Sequence, residues 1–156
     1  MDAASGKSLA VEETLEIPVK KGWKEGTRVT FEGKGDELPG RPPQDLVFVI
    51  KQAKHTRFAR EGDDLVARVK IPLAKALAGG TIDVPTLDAR VLRVPLKEVV
   101  TPGYERVVVG EGMPVSRAAA AGAKGDLRLR FEVQFPRRQL SETEGEQLEA
   151  LLASKY

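Results

Sequence analysis

Strand-like alternation of apolar and polar residues runs through most of the chain up to residue 135. Val29 and Phe31 alternate with Arg28, Thr30 and Glu32. Leu127, Leu129, Phe131, Val133 and Phe135 alternate with Arg128, Arg130, Glu132 and Gln134, which predicts a strand with one dry and one charged face. In residues 45–50 the pattern changes: Leu46, Phe48 and Ile50 alternate with Val47 and Val49, so both faces are apolar. Such a strand needs cover on each side or offers one side to a partner. Residues 64–71 and 81–84 also read as strands, and Gly- or Pro-bearing turns punctuate the pattern at Lys21-Gly22, Gly33-Lys34-Gly35, Pro39-Gly40, Gly79-Gly80 and Pro102-Gly103.

Two segments carry helical spacing instead. Residues 72–78 have proline in the first turn, Leu73 and Leu77 one turn apart, and Gly79 as a stop. A second helix is predicted from Ser141, which forms a capping-box pattern with Glu144 and is followed by acids at Glu142, Glu144 and Glu146. Its Leu148, Leu151 and Leu152 form a narrow apolar stripe that requires a surface, either the second β domain or a second copy of the chain. Residues 116–124, with alanines at 118–121, read as a mobile loop without apolar period.

The chain also repeats itself. Leu15, Pro18, Lys20, Gly33 and Gly35 map onto Leu92, Pro95, Lys97, Gly110 and Gly112 at one constant offset, and each block leads through a loop into a strand opening with Asp-Leu, at Asp45-Leu46 and Asp126-Leu127. Two tandem β domains of one type are expected. The strand, helix and strand of residues 64–84 precede the shared block in the second copy; projected back, they fall mostly before Met1, so the first domain is expected to be truncated. The expected organisation is a truncated first β domain at 1–58, a second at 59–138 and a C-terminal helix at 139–156.

Composition narrows the function classes. The 31% of charged residues balance to a net charge of +2, which argues against a strongly basic nucleic-acid groove, and aromatics make up only 5%, few for base stacking. There are no cysteines, so disulfides and thiolate metal sites are excluded and a reducing compartment fits. No apolar run approaches the roughly 20 residues of a membrane span, and the Met1–Ser5 start lacks the features of a secretion signal. A cytoplasmic protein without membrane, nucleic-acid, metal or cofactor partners is expected.

Enzyme chemistry is hard to assemble. The single histidine, His55, lies between the repeats, where fixing the connection by hydrogen bonds is the favoured reading over catalysis or metal binding. Gly33-Lys34-Gly35 and Gly110-Glu111-Gly112 lack the ending and the following helix of a phosphate-binding loop and read as turns. Asp63-Asp64 reads as a strand-start turn rather than a cation site. Lys20, Lys21, Lys24 and Lys34 gather around Trp23: a solvated hairpin edge is the plainer reading, a landing patch for an acidic peptide the functional one.

Several motifs in order carry a family resemblance. The run Ile17-Pro18-Val19-Lys20-Lys21-Gly22-Trp23-Lys24-Glu25-Gly26-Thr27-Arg28-Val29-Thr30-Phe31, then Asp45-Leu46-Val47-Phe48-Val49-Ile50, His55-Thr56-Arg57-Phe58-Ala59-Arg60-Glu61-Gly62-Asp63-Asp64-Leu65, Gly110-Glu111-Gly112-Met113-Pro114 and Gly125-Asp126-Leu127 resemble the C-terminal substrate-binding region of class II DnaJ-like co-chaperones. The resemblance covers almost the whole chain but no J domain, and no His-Pro-Asp motif occurs. It implies a mainly β fold of two tandem β-sandwich-like domains, a short helix in the second, and a C-terminal helix that pairs two chains into a homodimer.

The same resemblance implies binding of unfolded or extended polypeptide and cooperation with the seventy-kilodalton heat-shock chaperone. Phe48 matches the aromatic that lines the family's apolar groove, with Ile50 and Leu46 on the same strand. Lys20, with Lys21 beside it, matches the site for the partner chaperone's acidic tail, weakened here by truncation; Leu148, Leu151 and Leu152 fall in the dimer interface. The leading expectation is therefore a non-enzymatic client-binding module. The alternative is a dimeric structural adaptor: residues 71–77 and Gly112-Met113-Pro114 look somewhat like the family's ciliary members, which would place it in a radial-spoke-type assembly of the axoneme.

Overall fold

The computed structural model describes residues 12–117 and 122–156; the Met1–Ser5 start and the alanines 118–121 of the expected loop lie outside the described residues. The ends of that loop are tied together, with Pro114 bridging Lys124 and the Val115 N–H donating to the Ala123 carbonyl at 2.9 Å. The chain divides into two compact units, Met1–Ala53 and Lys54–Tyr156.

Strands β1 (Arg28–Phe31) and β2 (Leu46–Val49) form an antiparallel hairpin in the first unit. The second unit holds β3 (Phe58–Glu61), β4 (Asp64–Pro72), helix α1 (Leu73–Ala78), β5 (Gly80–Pro85), β6 (Val91–Leu96), β7 (Glu105–Val108), β8 (Leu127–Gln134) and helix α2 (Glu142–Ala153). Its main sheet runs β3-β4-β8-β7, and β5 and β6 pair separately. β8 is central: it runs parallel to β4, with Leu65 opposite Leu127 and Ala67 opposite Leu129, and antiparallel to β7.

Alternation in β8 does what its sequence predicts. Leu127 and Leu129 are fully buried and join Leu65, Ala67 and Ile71 of β4, Ile82 and Val84 of β5, and Val94 and Leu96 of β6 in one core. The opposite face is wet, and Arg128 and Arg130 pair there with Asp64 at 3.0 Å and Glu105 at 2.9 Å. Every buried hydrophobic residue among those described lies in this second unit.

Helix α1 starts at Leu73, one residue later than the pattern suggests. Pro72 keeps an extended ψ of 152° and ends β4, because a fixed φ near −68° suits either conformation and places no N–H in the helix. Gly79 closes the helix with a φ of 73°, and a Cβ there would lie 2.6 Å from the Leu96 carbonyl. Ser141 caps α2 with the expected capping box, completed by the Glu144 carboxylate. None of the residues of α2 is buried.

The internal repeat extends to individual hydrogen bonds. The Asp45 carboxylate accepts from the Gly33 N–H at 2.9 Å, and Asp126 accepts from Gly110 at the same distance. Gly35 donates to the Gln44 carbonyl at 2.7 Å, and Gly112 donates to Gly125 at 2.8 Å. The hairpins share a register as well: Phe31 lies opposite Leu46 as Val108 lies opposite Leu127. β1 and β2 are therefore the counterparts of β7 and β8. Nothing among the described residues pairs with the other edge of β2, where β8 has β4.

Two stability predictions follow from these positions. Leu129→Ala should lower stability in urea by about 2–5 kcal/mol, the cost of a cavity in a filled core. Phe48→Ala, at the matching position of the open hairpin, should cost only about 1 kcal/mol; equal losses would contradict the difference in cover. The Ser141 backbone and hydroxyl hold the Glu144 carboxyl below its ordinary 4.5. A depressed carboxyl stabilises the folded form above the unfolded pKa and loses that contribution as pH falls through the folded one. Far-ultraviolet circular dichroism should therefore show acid-induced loss of α2 helicity, with that step reduced in Glu144→Gln.

Candidate functional site

Among the described residues β2 pairs with β1 alone; it has two apolar faces, and each end of it is fixed. At its start, the Gly33–Asp45 and Gly35–Gln44 hydrogen bonds set the direction from which the chain enters. A Cβ on Gly35 would lie 2.8 Å from the Gln44 carbonyl, so only glycine permits that approach. At its end, the Gly26 N–H donates to the Ile50 carbonyl and the Ile50 N–H to the Thr27 carbonyl, both at 2.8 Å. The turn that meets Ile50 is braced by the Thr27 hydroxyl, which donates to the Lys24 carbonyl at 2.7 Å.

Period-two geometry then assigns the faces. Leu46 and Phe48 share one face with Val29 and Phe31 of β1, and Ile50 continues that side. The Phe31 and Phe48 rings meet edge to face with centroids 5.8 Å apart, which fixes the Phe48 ring without covering it. Phe48 remains 36% exposed, whereas its counterpart Leu129 is 0% exposed. On the opposite face Val47 and Val49 are 37% and 53% exposed, at the positions where β8 carries Arg128 and Arg130. Val47 and Val49 are thus exposed apolar candidates beside Phe48, which a one-faced reading of the groove omits although the unbroken apolar run signals them.

Among the expected cation positions, Lys20 and Lys21 are exposed on the turn ahead of β1, in the same compact unit as β2. Lys34 is paired with Glu13. Leu148, Leu151 and Leu152 lie on α2 in the other unit, with Leu151 66% exposed. Candidate peptide and dimer positions therefore fall into two separate groups.

Other chemistry-bearing residues are engaged in holding backbone. Nδ1 of His55 accepts from the Arg57 and Phe58 N–H groups, each at 3.2 Å, and the imidazole packs against the Phe58 ring. Asp64 accepts from the Asp126 N–H at 2.8 Å and pairs with Arg128, which makes it a strand-start brace. Electrostatics also braces the β5–β6 turn: the Thr86 hydroxyl and Arg90 hold the Asp88 carboxyl down at about 2. Arg90 also forks onto both Glu111 oxygens, at 3.1 and 2.6 Å, and lowers that carboxyl too, which fastens the turn to the Gly110–Gly112 loop. β2, by contrast, presents apolar side chains on both of its faces.

Comparison with known proteins gives this arrangement its family. Residues 5–136 match the family described as the DnaJ C terminal domain. The chain is 44% identical over 131 residues to DnaJ homolog subfamily B member 13 of Homo sapiens, an alignment covering 84% of this chain and 41% of that protein. It is 39% identical over 139 residues to DnaJ homolog subfamily B member 5 of Homo sapiens, covering 88% and 39%, and 45% identical over 124 residues to DnaJ homolog subfamily A member 2 of Mus musculus, covering 78% and 30%. The chain therefore spans about two-fifths or less of the length of these relatives. With a mainly β fold, an internally repeated hairpin and a C-terminal helix, it belongs to the DnaJ C-terminal domain family of co-chaperones.

Proposed function

We propose that this chain is a non-enzymatic substrate-binding module that holds unfolded or extended polypeptide at β2 and delivers it to the seventy-kilodalton heat-shock chaperone. The observation that carries this reading is the exposure of Phe48, Val47 and Val49 on a strand whose repeat counterpart is covered. An extended segment of another polypeptide has the chemistry to cover such a strand, with its alternate side chains meeting Leu46, Phe48 and Ile50. Lys20 and Lys21, exposed in the same unit, suit the acidic tail of the partner chaperone. In this reading α2 joins two copies through Leu148, Leu151 and Leu152, so each dimer presents two β2 sites, and the protein works in the cytoplasm.

Suppression of aggregation of a chemically denatured globular protein tests the client-binding claim. The intact chain should suppress aggregation and Phe48→Ala should weaken it severalfold. Undiminished suppression by Phe48→Ala would remove β2 from the site, and no suppression by the intact chain would favour the dimeric adaptor instead. Light scattering should give twice the chain mass for the intact protein and a single chain mass after deletion of residues 141–156; an unchanged mass would overturn the role of α2.

A further inference from the structure

The connection from β8 to α2 carries chemistry that the client-binding reading does not use. Residues 135–141 are exposed and lie in no helix or strand, and Ser141 itself is extended, with φ −66° and ψ 162°. Arg137 and Arg138, both exposed, stand four and three residues ahead of it. Among all the serines and threonines of the chain, Ser141 alone has an arginine at that third position. A protein kinase takes its substrate as an extended segment, and acidic side chains on the kinase can fork onto an arginine at a fixed distance from the accepting hydroxyl. Other hydroxyls are less available: Thr86 is 8% exposed and donates to Asp88, and Thr27 donates to the Lys24 carbonyl. We propose that Ser141 is a phosphorylation site for an arginine-directed protein kinase, and that its phosphate expels Glu144 from the capping box of α2 and so weakens the pairing of two copies. Only the effect on pairing rests on the reading of α2 given above; the site and the opening of the box do not.

In the transfer, the Ser141 Oγ attacks the γ-phosphorus of kinase-bound ATP and the hydroxyl proton passes to a carboxylate of the kinase. The bond from that phosphorus to the departing ADP oxygen breaks, leaving a phosphate ester and ADP. Distance decides what the phosphate then does. The Ser141 hydroxyl donates to the Glu144 carboxylate at 2.9 Å, and the Ser141 N–H donates to the same oxygen at 2.8 Å. Esterification removes the hydroxyl proton and sets a charge of about −2 against that carboxylate. Glu144 therefore swings away, and the Ser141 N–H loses its acceptor. A phosphate oxygen can still accept from the Glu144 N–H, which Ser141 Oγ now receives at 3.4 Å, so the half of the box that is lost is the carboxylate half. Glu142 and Glu146 add like charge, which Arg137 and Arg138 oppose from outside the helix. No residue of α2 is buried, so no core contact holds its entry angle once the carboxylate has left.

The test treats the full chain with ATP and a purified kinase that selects arginine three residues before its serine, and maps the phosphate by mass spectrometry. Ser141 should be the residue modified, and Arg138→Gln should slow the initial rate about tenfold through loss of one forked carboxylate contact. No phosphate at Ser141, phosphate spread over other hydroxyls, or an undiminished rate with Arg138→Gln would overturn the site. Nuclear magnetic resonance of the modified chain then reads the box. The Glu144 carboxyl, now held down by Ser141, should titrate higher once phosphate is present, and the Ser141 amide should exchange faster. An unchanged titration would overturn the expulsion of Glu144. Light scattering over a dilution series separates this inference from the reading beneath it. The phosphorylated chain should dissociate at severalfold higher concentration than the unmodified one, and an unmoved midpoint would overturn the control of pairing. An unmodified chain that is already single at every concentration would contradict the pairing role of α2 itself, while the mass and titration results would still decide the site and the box.

Discussion

A strand inside a β domain has two hydrogen-bonding edges and at least one apolar face to satisfy, and the parallel contact between β4 and β8 is where this chain meets that demand. β4 supplies one edge of β8 and, through Leu65, Ala67 and Ile71, joins Leu127 and Leu129 in the same core. The β5–β6 pair closes the other side of the same core. The braces at Asp64, Gly125 and the Arg90 fork hold the turns that keep this pairing in register. Without the β4 contact, β8 would keep only β7 as a partner.

Among the described residues, the first unit shows only such a two-stranded pairing. Its hairpin is built by the same rules as β7–β8, down to an aspartate that accepts from a glycine N–H twelve to sixteen residues earlier in sequence. Because the turn chemistry does not depend on a third strand, the hairpin keeps its register while β2 stays exposed on both faces. Replacement of the Arg128 and Arg130 positions by Val47 and Val49 raises the apolar exposure further.

Much of this was legible in the chain itself, for identifiable reasons. β8 declares itself through strict alternation, α2 through Ser141 and Glu144, and the repeat through glycines and prolines whose spacing reflects turns that tolerate little else. The apolar run from Leu46 to Ile50 signalled a strand needing cover on both faces. What the sequence could not supply was pairing across long separations: β4 and β8 are joined through a helix and three strands, and no local pattern records that they run parallel. The shared roles of Asp45 and Asp126 were equally hidden, since a carboxylate before a strand reads only as turn chemistry until its partner is located. The Thr86, Asp88, Arg90 and Glu111 brace went unnoticed because its members come from separate turns.

Amide hydrogen exchange of the free full chain tests the central claim most directly, because it compares the two repeats within one molecule. The account predicts that the amides of Leu46–Val49 exchange orders of magnitude faster than those of Leu127 to Arg130, their counterparts under β4. Equal protection of both sets would contradict it, since β2 would then be as fully covered as β8 and would have no edge or face left to offer.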